Sequence, residues 1–192
     1  MDWKAKTLLA ALVCTSTNCE SGAQMKDTEW FAALPDSFEV IAPSGEAVHG
    51  FDKDLTYIVL IDKAYAKSHP ALLGIKVSEM YDSRVLEVTS VENISPAMES
   101  ELNMEQVEGP TIHEPTGFKV YDENLDDGGR RYYFDSEGRR SIYCFSLNNL
   151  NEADIKCSRR IYIGSVSILY RFEGLSLNEV SDIDREVLQI FE

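Results

Sequence analysis

Short apolar runs set between turn-forming residues recur along the chain, the pattern of strands in a sheet. The stretches SFEVIAP (37–43), TYIVLID (56–62) and RVLEVTSVE (84–92) are rich in β-branched residues and bounded by Pro, Gly, Asp and Ser, and PSGEAVHG supplies a turn between the first two. Further on, RRYYF and RRSIYCF flank DSEG, which suits a type I turn with Gly138 in the left-handed position and predicts a hairpin. DENLDDGG reads as the loop leading into it. CSRRIYIGSVSILYRFEG (157–174) reads as a third antiparallel strand, bent at Gly164, which completes a meander over 130–174.

Three segments carry helix signals instead. DTEWFAALP has Asp27 or Thr28 as N-cap and a stop at Pro35, predicting a short N-terminal helix. SPAMESELNMEQVEG predicts a mid-chain helix with Ser95 as N-cap, Pro96 in the first turn and Gly109 closing it. SDIDREVLQIFE predicts a C-terminal helix over 181–192, with Ser181 as N-cap and Ile183, Val187, Ile190 and Phe191 on one stripe that covers the sheet. The expected fold class is α+β: a mainly antiparallel sheet with these three helices, in one domain over residues 24–192. No repeat or linker interrupts it.

The first residues change the compartment. Lys4 and Lys6 precede the apolar run Thr7–Val13, and Ser21–Ala23 is small-x-small before Gln24, so residues 1–23 read as an export signal. A short buried helix is the competing reading, favoured by Asp2 and Glu20 as flanks. Lipid anchoring through Cys14 or Cys19 lacks the usual Leu three residues before either cysteine. The apolar run is too short for a permanent membrane span. Cutting after Ala23 leaves Cys144 and Cys157, and opposed residues in an antiparallel hairpin have a constant sum of numbers. That pair centres the turn between Leu150 and Asn151, inside the turn-prone SLNNLNEAD, and places the thiols at disulfide distance. Two unpaired buried thiols are the alternative.

Charge narrows the partner. The formal net charge is −15 with a pI near 4.6, which disfavours nucleic acid and anionic membranes and favours a cationic protein. Residues 1–127 hold 9 Lys/Arg against 23 Asp/Glu, and residues 128–192 hold 9 against 10, so the acidity belongs to the first two-thirds. The candidate contacts are Glu99, Glu101, Glu105 and Glu108 on the expected mid-chain helix and Asp122, Glu123, Asp126 and Asp127 in the expected loop. In the basic third, Arg130–Arg131, Arg139–Arg140 and Arg159–Arg160 come as doublets. These pair with neighbouring carboxylates on strands or, in the sharper reading, form an anion-facing surface with Arg139 and Arg140 as candidates.

Motifs for chemistry are missing. A calcium loop starting at Asp122 has Asn124 and Asp126 in place, but Asp127 stands where Gly is needed and Tyr133 where Glu is needed. His49, His69 and His113 lack zinc spacing; His113 beside Glu114 is a general-base candidate, although neighbours on an extended loop point opposite ways. No nucleophile elbow or phosphate-binding Gly-rich loop occurs, so no cofactor or metal is expected. The expectation is an exported, non-enzymatic acidic binding protein of the inhibitor or immunity type. A carboxylate-based hydrolase of the envelope and an envelope structural module are the alternatives.

Overall fold

The computed structural model describes residues 34–41, 56–114, 116–125, 128–147 and 155–191. The expected signal (1–23), most of the N-terminal helix, and the turn around Leu150 and Asn151 lie outside the described residues, as do Asp126 and Asp127.

The β-branched stretches become strands of one ten-stranded antiparallel sheet. In chain order they are β1 (Glu39–Ile41), β2 (Thr56–Ile61), β3 (Val77–Ser78), β4 (Ser83–Ser90), β5 (Glu108–His113), β6 (Phe118–Leu125), β7 (Gly128–Phe134), β8 (Arg140–Ser146), β9 (Lys156–Ile163) and β10 (Val166–Glu173). Spatially the order is β1-β2-β4-β10-β9-β8-β7-β6-β5, with β3 paired to the margin of β4. Among the described residues two α-helices accompany the sheet: α1 (Lys63–Ser68), capped by Asp62, and α2 (Leu177–Ile190).

One face of the sheet is dry. Tyr57, Val59, Leu86, Val88, Ile168, Tyr170, Ile142 and Ile161 meet Val180, Ile183, Val187 and Ile190 of α2, all within one buried cluster. Burying such aliphatic and aromatic side chains stabilises the fold by about 1.5–3 kcal/mol each. Phe191, at the C-cap of α2, is also buried.

The C-terminal helix starts a turn earlier than the apolar stripe suggests. Ser176 is its N-cap, with Glu179 accepting from the Ser176 backbone N–H in a capping box. Ser181 lies within the helix and donates its hydroxyl to the Leu177 carbonyl. Residues 157–174 form the hairpin β9–β10 rather than one bent strand, turning at Gly164 (φ 54°) and Ser165. A two-residue turn beginning with a positive-φ glycine matches the twist of the flanking strands.

The mid-chain helix over 95–109 is not formed. Met98 bridges Arg139, a single 3-10 turn spans Glu99–Glu101, and Glu108 already belongs to β5. The sheet takes the backbone groups that a helix would use: the Ala97 carbonyl accepts from Arg140 N–H and the Glu99 N–H donates to the Gly138 carbonyl, each at 2.8 Å. Leu102 and Val107, five apart and therefore off a single helical face, pack over Tyr121, Tyr132 and Phe134.

Candidate functional site

Alternation along β6, β7 and β8 sends Tyr121, Tyr132 and Tyr143 to the face opposite α2, where register sets them side by side. The 97–107 segment covers the first two. Glu99 enters this layer from above and accepts from Lys119 Nζ at 2.7 and 3.0 Å and from the Tyr121 hydroxyl at 2.5 Å. The Lys119 contact, then the Tyr121 hydrogen bond, holds the Glu99 carboxyl below its ordinary range. Burial, then Glu99, pushes the Tyr121 phenol up to about 12.

Asp122 and Glu123 are strand residues of β6, not members of a loop, because the β6–β7 ladder runs on to Leu125 and Gly128. Facing Arg131 across that ladder, Asp122 accepts a two-pronged pair, Nε at 2.6 Å and Nη2 at 2.8 Å. This bond raises the Arg131 pKa further. Glu123 accepts from Arg130 at 3.2 Å and from the Tyr132 hydroxyl at 2.7 Å. Tyr132 is raised to about 12, chiefly by burial and then by Glu123. Arg139 pairs with Asp135 and Glu137, and Arg159 with Asp184 of α2. Arg140 stands over the Tyr143 ring, 5.1 Å from its centroid. Most of the Arg doublets are therefore cross-strand and local ion pairs.

The candidate carboxylates thus part company. Glu99, Asp122 and Glu123 are neutralised within the molecule. Glu101 accepts from the Met98 N–H at 3.1 Å, and Glu108 from Asn124 at 3.4 Å, while both stay exposed together with Glu105. Glu108 belongs to the edge strand β5, Glu105 to the stretch leading into it and Glu101 to the 3-10 turn upstream; residues 103–112 are exposed apart from the half-buried Val107. Met104 and Ile112 are 56 % and 54 % exposed there, and exposed Glu114 follows β5. Charge patterning singles out Glu101, Glu105 and Glu108 but passes over Met104, Ile112 and Glu114, whose shared exposure depends on β5 being an edge strand. Pro110 within β5 suits that edge, since it lacks an N–H for a further strand.

The cysteines meet as the hairpin register requires. Cys144 lies opposite Cys157 in the β8–β9 ladder, and the two form a disulfide with a Cα–Cα distance of 4.1 Å. It floors a trough of about 420 Å³ beside the start of α2, walled by His113, Arg131, Tyr133 and Leu177. His113 is bonded to Thr116 Oγ1 at 3.0 Å, and Glu179, the carboxylate on the trough wall, is occupied by the Ser176 cap. Among the described residues, no three His, Cys, Asp or Glu side chains converge as a metal site, and no helix is long and apolar enough to cross a membrane.

No protein-family model matches the chain, and neither the curated proteins nor the solved structures contain a significant match to it.

Proposed function

We propose that the protein is an exported, non-enzymatic binding protein of the inhibitor or immunity type that captures a basic protein partner on its acidic margin. The observation that carries this reading is the exposure of Glu105, Glu108 and Glu114, with Met104 and Ile112, in and around the edge strand β5, and of Glu101 in the turn that precedes them. Carboxylates on such a margin attract a cationic protein at long range, and the two apolar side chains give the docked complex area to bury. The Cys144–Cys157 disulfide supports residence in an oxidising compartment.

The test is affinity capture from the envelope and secreted fractions of the source organism. Immobilised wild-type protein is compared with a variant carrying Glu101→Gln, Glu105→Gln, Glu108→Gln and Glu114→Gln. The reading expects a basic protein that elutes with salt and is depleted on the variant. A captured protein of acidic pI, held equally by both, would refute it. The trough beside α2 lends less to a hydrolase, because the two-carboxylate mechanism needs a pair of acids flanking one bond.

A further inference from the structure

Register sets three rows of side chains on the face opposite α2. Phe145, Lys156 and Glu173 lie side by side across β8, β9 and β10, followed by Tyr143, Ser158 and Arg171, and then by Leu169 between Arg160 and Glu87. Two cavities open over these rows. One, of about 360 Å³, is lined by Tyr143, Phe145, Lys156 and the half-buried Leu169. The other, of about 440 Å³, runs on past Val77 and Met80 to Val85. Lys76, Leu169 and Arg171 line both, so the two are one elongated groove. Its apolar walls stand open to solvent: Phe145, Val77 and Met80 are all exposed.

The groove is polarised along its length. Glu79 lines the cavity at the Met80 end and Lys156 the cavity at the Phe145 end, and neither has an ion pair among the described residues. Between them the charges cancel, Lys76 pairing with Glu173 and Arg171 with Glu87. The other charges around Tyr143 and Phe145 are Arg130, which lies opposite Phe145 and pairs with Glu123, Arg140 over the Tyr143 ring, and Arg160, which donates to Ser167 Oγ at 2.8 Å. Cations therefore outnumber carboxylates at that end, against the net charge of −15 of the whole chain. An elongated apolar groove with an uncompensated cation at one end matches a hydrocarbon chain that carries an anionic head.

We propose that this groove binds a single-chain amphiphilic anion, a fatty-acid-like carboxylate, with its hydrocarbon chain along Leu169, Val85 and Met80 and its head beside Lys156. The site is independent of the acidic margin and uses none of its residues.

The test is isothermal titration of the full chain with submicellar octanoate and decanoate, with decanol as neutral analogue and decyltrimethylammonium as cationic analogue. Salt is held at about 150 mM, where charges farther than about 8 Å are largely screened. Saturable binding of decanoate at one site is expected, tighter than that of the cationic analogue. It should exceed octanoate by about fourfold or more, since each added methylene contributes up to about fourfold when fully buried. Lys156→Gln should weaken decanoate about threefold or more and leave decanol unchanged. Leu169→Asn should abolish binding of both; Phe145→Ser, at an exposed position, should weaken both about threefold or more and carries the test if the Leu169 variant fails to fold. The proposal is overturned if decanoate does not bind, if the cationic analogue binds as tightly, if Lys156→Gln binds decanoate as wild type does, or if the folded groove variants bind undiminished. A wild-type dimer in sedimentation that Phe145→Ser disperses, with no decanoate bound, would give the groove to a second copy of the chain and overturn it as well.

Discussion

Replacing Asp184 by Ala tests what fastens α2 to the sheet. Asp184 accepts from Arg159 Nε at 3.0 and 3.2 Å and from Nη2 at 2.7 Å, and also from the Tyr170 hydroxyl at 2.7 Å. The two ionic side chains are only 12 % and 18 % exposed. Removing the carboxylate leaves Arg159 a partly desolvated cation with the Ser141 carbonyl at 3.4 Å and the Phe118 ring at 5.5 Å. Tyr170 keeps the Val180 carbonyl at 3.3 Å. Breaking a fully buried pair costs about 3–5 kcal/mol, and hydrogen bonds to charged groups are each worth about 1.5–3 kcal/mol. Allowing for the remaining exposure, we expect a loss of about 3 kcal/mol, or about 6–12 °C in Tm for a chain of this size. Urea unfolding followed by far-UV circular dichroism on wild type, Asp184→Ala, Arg159→Ala and the double variant gives the coupling, expected near 2 kcal/mol. Additive single effects, with coupling below about 0.5 kcal/mol, would show that α2 is held by its apolar stripe alone.

Replacing Cys144 and Cys157 by Ala should cost about 3 kcal/mol by the loop-closure estimate, and in the native oxidised protein neither thiol should be alkylated. Glu99→Gln should lower stability at neutral pH by about 0.5–1 kcal/mol after allowance for solvent screening. The folded-state pKa of Glu99 lies below its ordinary value of 4.5, so this contribution is present above that pH and is lost as pH falls through the folded value. Stability curves of wild type and Glu99→Gln, measured by thermal melts from neutral pH downward, should therefore converge in acid. Gly128→Ala should destabilise by more than about 2 kcal/mol in the same melts. At φ 155° its Cβ would stand 2.1 Å from the Ser146 carbonyl oxygen.

Much of the sheet was legible because its signals are local. β-branched runs bounded by turn formers located most of the strands, DSEG located the β7–β8 turn, and the constant-sum rule placed Cys144 against Cys157. What escaped was decided by distant partners. The 95–109 segment has respectable helix signals, yet Arg140 and Gly138 compete for its backbone groups, while Lys119 and Tyr121 compete for Glu99. The start of α2 was nevertheless written locally, as the capping box Ser176-Leu-Asn-Glu179. The apolar stripe beginning at Ile183 drew attention away from it. Charge counting found an acidic first two-thirds but could not tell paired from unpaired carboxylates. Asp122 and Glu123 look as available as Glu105 until the β6–β7 register sets them opposite Arg131 and Arg130.

The acidic margin is tested most directly by the association rate of the captured basic partner, measured by surface plasmon resonance at two salt concentrations. For wild type against the variant with Glu101, Glu105, Glu108 and Glu114 changed to Gln, we predict an association rate lowered about fivefold or more at 50 mM salt. The difference should shrink at 500 mM, where the Debye length falls from about 14 Å to about 4 Å. Melting temperature should hardly move, because these carboxylates are exposed. Equal association rates for wild type and variant at low salt would contradict the account.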